Sequence, residues 1–249
     1  MQVVVQLEAQ DAARFAAETM AALVRRRPTA TLGFATGQTM VPFYRELVRI
    51  HRQGSVSFRD VTVFALDEYR GLAPSHPGSC HGFLNRHVLH LLDLDPTRVR
   101  LLDGLTPDPI AECARYERAI GERGGIDLQL LGCGRNGHIG FNEPGSSLGS
   151  RTRLAPLTES TRRANASAWG GDATAVPDEA LTMGIGTILD ARACLLLAFG
   201  GAKAPALAAA LEGPITEDLP ASVLQIHPAV TCVLDSSAAT LLTRVVGRS

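Results

Sequence analysis

The chain has 249 residues, of which 45% are hydrophobic and 20% are charged. This composition excludes an intrinsically disordered chain, and the length suits one α/β domain over residues 1–249. Lys and Arg total 24 against 25 Asp and Glu, for a net charge of -1, which excludes a broad polybasic surface for nucleic acid.

The sequence also lacks the features of membrane and secreted proteins. No run approaches the roughly 20 apolar residues that a membrane helix needs, and the first residues have no basic or long apolar region of a signal peptide. The cysteines are scattered and form no CxxC pair; they are Cys80, Cys113, Cys133, Cys194 and Cys232. We therefore predict a cytoplasmic protein with free thiols, without a disulfide framework, a zinc cluster, or a membrane or nucleic-acid partner.

Short apolar or β-branched runs alternate along the chain with longer runs of helical periodicity. The predicted strands cover residues 2–7, 29–35, 61–66, 99–102, 126–131, 194–199 and 230–234. The predicted helices cover residues 11–26, 41–52, 80–92, 109–123 and 202–211, with another after the last strand. Strands that are apolar throughout are covered on both faces. The order therefore predicts a doubly wound, mostly parallel central sheet with helices on both faces, a modified Rossmann-like α/β fold.

The segment 146–186 is the least regular part of the sequence, and we expect it to form an excursion that acts as a lid. In doubly wound sheets, ligands bind beyond the carboxyl ends of the strands. Candidate functional residues therefore come from the loops that follow predicted strands.

The loop after the second strand contains Thr36, Gly37, Gln38 and Thr39, directly before a helix. Consecutive main-chain N–H groups and the helix dipole would form an anion cradle there. The alternative is a tight turn in which Thr39 caps the helix. No Gly-Lys-Ser/Thr follows, so the loop is not a Walker motif.

Asp67 and Glu68 follow the third strand directly. A carboxylate at the end of a buried strand is partly desolvated and can act as a proton-transferring base. The alternative is a helix cap or a loop salt bridge.

The segment GCGRNGHIGFNE, residues 132–143, is rich in glycine and carries Asn136, His138 and Glu143. His138 titrates near neutrality, and Glu143 is close enough to hold its other ring nitrogen, so the pair can move a proton to or from a hydroxyl. A GxGxxG pattern is present, but it falls mid-chain and no acidic residue ends a following strand at the required distance. We therefore discount a dinucleotide loop.

Lys203 lies at the start of a predicted helix, where a cation opposes the helix dipole and indicates a bound anion. The alternative is a surface lysine with a buried stem. His76, His81, His87 and His90 cluster in one loop and helix. Only two of them have helical spacing and no third ligand follows, so we predict no metal site.

Six segments together resemble the glucosamine-6-phosphate deaminases and extend over nearly the whole chain. They are LGFATGQT (32–39), FALDEYRGL (64–72), LGCGRNGHIGFNEPGSSLGSRTR (131–153), ALTMGIGTILDA (180–191), FGGAKA (199–204) and LQIHPAVTCVLD (224–235). The superfamily also includes 6-phosphogluconolactonases and sugar-phosphate isomerases, so family membership and exact substrate are separate questions.

The resemblance implies an aldose–ketose isomerisation coupled to deamination, in which glucosamine 6-phosphate and water give fructose 6-phosphate and ammonium. It implies that His138, held by Glu143 and Asn136, assists ring opening. It implies that Asp67 removes the proton at C2 of the open sugar and returns it at C1. Gly37, Gln38, Thr39 and Lys203 would hold the phosphate, and no metal or organic cofactor is required.

Two positions depart from the family pattern within the site. Some members carry Asp where this chain has Asn136, which can orient an imidazole but adds no charge. The family often has Arg where this chain has Ser167, so a phosphate contact is missing unless Arg162 or Arg163 replaces it.

A third departure concerns regulation. In the allosterically regulated hexamers of the family, a basic and hydroxyl-rich stretch follows the SRTR block, and a C-terminal tail adds a Tyr. Here Ala155 and Pro156 follow Arg153, and the sequence stops at Ser249. We expect no activation by N-acetylglucosamine 6-phosphate, and a monomer or small homo-oligomer.

Two alternative functions stay open. One is a deaminase or isomerase of another amino-sugar phosphate, such as galactosamine 6-phosphate. The other is a sugar-phosphate-binding protein without turnover, although binding alone does not require Asp67, His138 and Glu143. A lactonase needs no base at C2 and is disfavoured.

Overall fold

The computed structural model describes residues 1–244, apart from the side chains of residues 167 and 168. Its main sheet has seven strands, and every neighbouring pair is parallel. From edge to edge they are β1 (Gln2–Gln6), β10 (Val230–Asp235), β9 (Cys194–Ala198), β6 (Leu128–Gly132), β2 (Thr31–Phe34), β3 (Thr62–Ala65) and β5 (Val99–Arg100). The predicted doubly wound α/β fold is confirmed.

The helices alternate with these strands along the chain. They are α1 (Ala9–Arg26), α2 (Met40–Arg52), α3 (Cys80–His87), α4 (Pro109–Glu122), α5 (Glu159–Asn165), α6 (Ile185–Leu189) and α7 (Ala204–Glu212). Short 3-10 segments cover Leu89–Leu91, Pro96–Arg98, Ala166–Trp169, Gly201–Lys203 and Pro220–Gln225.

Burial of strands and helix faces explains why these segments form. All five residues of β9 are buried, as expected for a strand covered on both faces. In α1, Ala12, Ala16 and Met20 recur at helical spacing and are fully buried. Each buried aliphatic side chain of Leu size contributes about 1.5–3 kcal/mol. The helix α4 begins at Pro109, as predicted, and the side chain of Asp108 caps it by accepting from the N–H of Ala111.

A second, antiparallel sheet was not predicted. It consists of β4 (Asp67–Tyr69), β8 (Glu179–Thr182) and β7 (Arg153–Pro156), with β8 in the middle. Leu66 joins the two sheets: its N–H donates to the carbonyl of Phe34 and its carbonyl accepts from the N–H of Met183. The chain therefore passes from β3 to β4 within one residue, which places Asp67 at the junction.

The segment 146–186 contains β7, α5, the whole of β8 and the start of α6, so much of it has regular structure. Its role as a lid stays a prediction.

One helix ends earlier than predicted, one begins later, and one predicted helix is absent from the described residues. The helix from Cys80 ends at His87 because Val88 leaves helical geometry, with φ -151° and ψ -49°. The helix expected from residue 202 begins at Ala204, after a 3-10 turn. Residues 236–244 form turns, so the helix predicted after the last strand is absent there; the remainder of that prediction, residues 245–249, lies outside the described residues.

Strand order locates the ligand site. From β2 the chain continues to β3 on one side, whereas β6 pairs on the other side of β2. The loops after β2 and β6 therefore diverge at a topological switch point, where doubly wound sheets bind ligands. Within residues 1–244, no helix combines the length and apolar character that crossing a bilayer requires.

Candidate active site

The loop after β2 forms an anion cradle. Gly37 has φ +108°, a left-handed conformation that favours glycine. The carbonyls of Gly37 and Gln38 accept from the N–H groups of Met40 and Val41, which starts α2. Within residues 1–244, the N–H groups of Gly37, Gln38 and Thr39 donate to no protein acceptor. They are available to an anion at the positive end of α2.

Lys203 reaches this cradle from the loop after β9, two strands away from β2 in the sheet. Its Nζ donates to the hydroxyl of Thr39 at 2.8 Å, and that hydroxyl makes no cap for α2. The side chain of Thr39 therefore does not cap α2, in contrast to the alternative considered from the sequence. Burial lowers the pKa of Lys203, and the nearby Cys133 and Asp235 oppose that shift. A partly desolvated ammonium attracts an anionic ligand strongly.

His138 is held by a chain of hydrogen bonds in the loop after β6. Its Nδ1 lies 2.7 Å from the Oδ1 of Asn136, and the Asn136 amide donates to the Oε2 of Glu143 at 2.8 Å. Asn136 Oδ1 can only accept, so His138 carries its proton on Nδ1 and leaves Nε2 free as an acceptor. The direct partner of His138 is thus Asn136, and Glu143 acts mainly through it, with its Oε2 3.7 Å from Nδ1.

Burial and the nearby charges together favour the neutral form of this imidazole. Burial lowers the pKa of His138, the negative charge of Glu143 opposes that shift, and Lys203 lowers it further. A neutral imidazole accepts a proton in one step and returns it in the next. We refer to Asn136, His138 and Glu143 as the imidazole relay.

Asp67 is the first residue of β4 and is only 6% exposed. Burial raises its pKa to about 7, a hydrogen bond from Cys80 opposes that shift, and the charge of Glu68 adds to it. The Cys80 Sγ lies 3.4 Å from Asp67 Oδ1, and the Thr36 hydroxyl lies 3.5 Å from that sulfur. A carboxyl group with this pKa suits proton abstraction near neutral pH.

The neighbouring Glu68 binds main-chain N–H groups, and its position is structural. Its carboxylate accepts from the N–H groups of Tyr69, Cys80 and His81 at 2.8–2.9 Å. Glu68 therefore fixes the start of α3 against β4, and with it the position of the Cys80 thiol beside Asp67.

Packing brings the base and the relay to the same edge of the sheet. The N–H of Phe141 donates to the hydroxyl of Thr182 at 3.1 Å, and Thr182 is the strand partner of Asp67 in β8. A Cβ at Gly140 would lie 3.2 Å from the side chain of Leu66. The loop that carries the relay thus packs against the junction that carries Asp67.

Comparisons with known proteins agree with this geometry. The family model described as glucosamine-6-phosphate isomerases/6-phosphogluconolactonase matches residues 6–233. The chain belongs to this family. The glucosamine-6-phosphate deaminase of Cellvibrio japonicus is 46% identical over 245 residues, which cover 98% of this chain and 93% of that protein. The glucosamine-6-phosphate deaminase of Streptomyces coelicolor is 48% identical over 242 residues, covering 97% and 93%. The resemblance predicted from the motifs is confirmed.

Two solved structures share the fold of this chain. The structure of a monomeric glucosamine-6-phosphate deaminase matches with a TM-score of 0.94 at 44% identity, covering 97% of this chain and 100% of that one. The 6-phosphogluconolactonase of Trypanosoma brucei matches with a TM-score of 0.73 at 20% identity, covering 97% and 98%. At that identity the lactonase shares the fold alone.

Neither arginine that could replace the missing family Arg is free. Arg162 donates to the carbonyls of Val176 and Thr174, and Arg163 pairs with Glu159. Both side chains therefore bind residues within the segment 159–176 and have their donors occupied there.

Three hydroxyl or thiol contacts of the site were missed from the sequence. Thr158 donates to Glu143 at 3.2 Å and Thr161 lies 3.4 Å from His138 Nδ1, so α5 supports the imidazole relay of this family member. From the sequence, Cys80 is predicted only as the first residue of a helix. Ser79, whose hydroxyl accepts from the N–H of Gly82, marks the start of this helix, but no sequence pattern links Cys80 to Asp67. In the described part of the chain, no cluster of three His, Cys, Asp or Glu side chains is arranged to hold a metal ion.

Proposed function

We propose that this protein converts glucosamine 6-phosphate and water to fructose 6-phosphate and ammonium. The observation that carries the proposal is the buried Asp67, with its pKa near 7, at the same sheet edge as the imidazole relay. Relatives 46–48% identical over nearly the full chain are named glucosamine-6-phosphate deaminases, which supports this substrate.

Ring opening is assigned to His138. The bond between C1 and the ring oxygen breaks, the C1 hydroxyl loses a proton and the ring oxygen gains one. The free Nε2 of His138 transfers this proton, while Asn136 and Glu143 stabilise the imidazolium that forms transiently.

Isomerisation is assigned to Asp67. Its carboxylate removes the proton at C2, the electron pair forms a C1–C2 double bond, and the aldehyde oxygen takes up a proton. Asp67 then returns its proton to C1, and the nitrogen lone pair forms a C2–N double bond. Water adds to C2 and ammonia leaves, which gives the ketone. The amino group itself stabilises these intermediates, so the proposal requires no metal or organic cofactor.

The phosphate is assigned to Gly37, Gln38, Thr39 and Lys203. Three free main-chain N–H groups and one ammonium hold a group remote from the reaction. This remote binding energy orients C1 and C2 against Asp67.

An assay of purified protein tests the proposal and its alternatives. The protein is incubated with glucosamine 6-phosphate, its C4 epimer galactosamine 6-phosphate, and mannosamine 6-phosphate, and ammonium and ketose phosphate are measured. Product from the glucosamine substrate supports the proposal. Product from the C4 epimer alone would support the alternative suggested by Ser167, and binding without product would support a non-catalytic protein.

We further propose a monomer or small homo-oligomer in the cytoplasm, with no activation by N-acetylglucosamine 6-phosphate. A solved relative described as monomeric shares the fold with a TM-score of 0.94. All five cysteines are buried free thiols, as is typical of a reducing compartment. Light scattering, and assays with and without the N-acetylated sugar phosphate, test these statements.

A further inference from the structure

Arg135 is an exposed cation in the loop that carries the imidazole relay. In the part of the chain that the structure describes, its guanidinium takes part in no ion pair and no hydrogen bond. Arg162 and Arg163, in contrast, are occupied by carbonyl and carboxylate partners. Arg135 thus has its donors available to a ligand.

The sheet order places Arg135 between the two parts of the anion cradle. The strand β6 lies between β9 and β2, with Gly132 paired to Leu197 and Leu128 paired to Leu32. Arg135 follows the end of β6 by three residues. The loop of Lys203 follows β9, and the Gly37 loop follows β2. Arg135 therefore enters the same sheet edge between these two loops.

Electrostatics agree with this placement. The charge of Arg135 is among those that lower the pKa of Lys203, behind burial and the opposing effects of Cys133 and Asp235. Asp235 accepts from the N–H groups of Gly200 and Ala238, and within residues 1–244 it forms no ion pair with Lys203 or Arg135. Two cations close enough for the charge of one to affect the other favour a multiply charged anionic ligand.

We propose that Arg135 is a second phosphate-binding cation, which pairs with the substrate phosphate together with Lys203 and the N–H groups of the Gly37 loop. This rests on the proposed function, since it assigns a residue to the phosphate end of that substrate. A guanidinium binds two phosphate oxygens through a planar pair of N–H donors, a fixed geometry that a lysine ammonium lacks.

The test compares Arg135→Ala with Arg59→Ala. Arg59 is also exposed, and it precedes β3 at the opposite, amino-terminal edge of the sheet. We expect Arg135→Ala to raise KM for the amino-sugar phosphate about 5- to 20-fold with kcat nearly unchanged, as expected for loss of a charge-assisted hydrogen bond. Arg59→Ala should leave both constants unchanged, and Arg135→Lys should recover part of the loss.

Calorimetric titration with inorganic phosphate measures binding without turnover. The dissociation constant should rise in Arg135→Ala and in Lys203→Ala, and stay at the wild-type value in Arg59→Ala. If Arg135→Ala matches Arg59→Ala in phosphate affinity and KM, the assignment is wrong even though the wild type deaminates its substrate. A lower kcat at unchanged KM would also overturn it, since Arg135 would then only shape the relay loop. If the wild type shows no turnover but its phosphate binding still depends on Arg135, the proposed function is wrong and the assignment of Arg135 stands.

Discussion

The thiol of Cys80 donates to the carboxylate of Asp67 across 3.4 Å. Burial raises the pKa of Cys80 well above its usual range, so the group stays a thiol and remains a donor at neutral pH. This hydrogen bond favours the charged form of Asp67 and limits the rise in pKa that burial causes. Cys80 is therefore a positioning residue for the base.

Replacing Cys80 with Ala should move the acid limb of the pH profile. Loss of the hydrogen bond raises the pKa of Asp67 above about 7, so more of the enzyme is protonated and inactive at neutral pH. The limb of kcat/KM that reports the free enzyme should shift to higher pH. Cys80→Ser, which keeps a donor, and Cys113→Ala, on a different helix, should shift it less. A limb that moves to lower pH would contradict this account.

Replacing Asp67 with Asn should stabilise the protein in alkaline solution. Folding raises the pKa of Asp67 from 3.8 to about 7, so the native state binds this proton more tightly than the unfolded state. The free energy of unfolding therefore falls as pH rises through that interval, and the full loss remains above it. A tenfold change in proton affinity corresponds to about 1.4 kcal/mol. The shift in pKa from 3.8 to about 7 therefore limits the gain in the free energy of unfolding of Asp67→Asn to about 4 kcal/mol at pH 8.

Urea denaturation at pH 4 and pH 8 measures this effect. The difference between Asp67→Asn and wild type should be small at pH 4 and largest at pH 8. The exposed control Asp218→Asn should show no such dependence. Equal stability of Asp67→Asn and wild type at pH 8 would show that Asp67 is not desolvated.

Glu143→Gln should lower the pKa of His138. The charge of Glu143 opposes the effect of burial, and a neutral amide removes that opposition. Titration of the His138 ring signals by NMR in the wild type and the variant measures the direction. Glu159→Gln, an exposed carboxylate that pairs with Arg163, is the matched control. A pKa that rises in Glu143→Gln would contradict the proposed relay.

Gly134→Ala should reduce kcat through the imidazole. A Cβ at this position would lie 2.3 Å from the ring of His138, so the ring cannot keep its present position and its hydrogen bond to Asn136 is disturbed. We expect kcat to fall by about 10- to 100-fold, which is part of the usual contribution of a general acid or base. Gly149→Ala meets no atom within 4 Å and should retain activity in the same steady-state assay. Wild-type kcat in Gly134→Ala would mean that the ring position is unimportant.

The main sheet could be predicted from the sequence because its strands are continuous apolar runs, such as Cys194–Ala198. It was also sufficient to place Asp67 and His138 at strand ends. The second sheet could not be predicted, since β4, β7 and β8 have only three or four residues and pair over long sequence distances.

The side chains that position Asp67 and the imidazole relay likewise could not be predicted from hydrophobic periodicity. Cys80 reaches Asp67 only because Glu68 binds the first N–H groups of α3. Thr158 reaches Glu143 only because α5 packs beside the relay loop. Such contacts depend on tertiary packing and leave no local pattern in the chain.

The most direct test of the account follows the C2 proton. Glucosamine 6-phosphate is incubated in D₂O with wild type and with Asp67→Asn, and deuterium at C1 of the ketose product and at C2 of recovered substrate is measured by NMR. We expect deuterium in the wild-type reaction, and neither deuterium exchange nor ammonium with Asp67→Asn, whose affinity for inorganic phosphate should match the wild type. Deuterium exchange at the wild-type rate in Asp67→Asn would show that another group is the base.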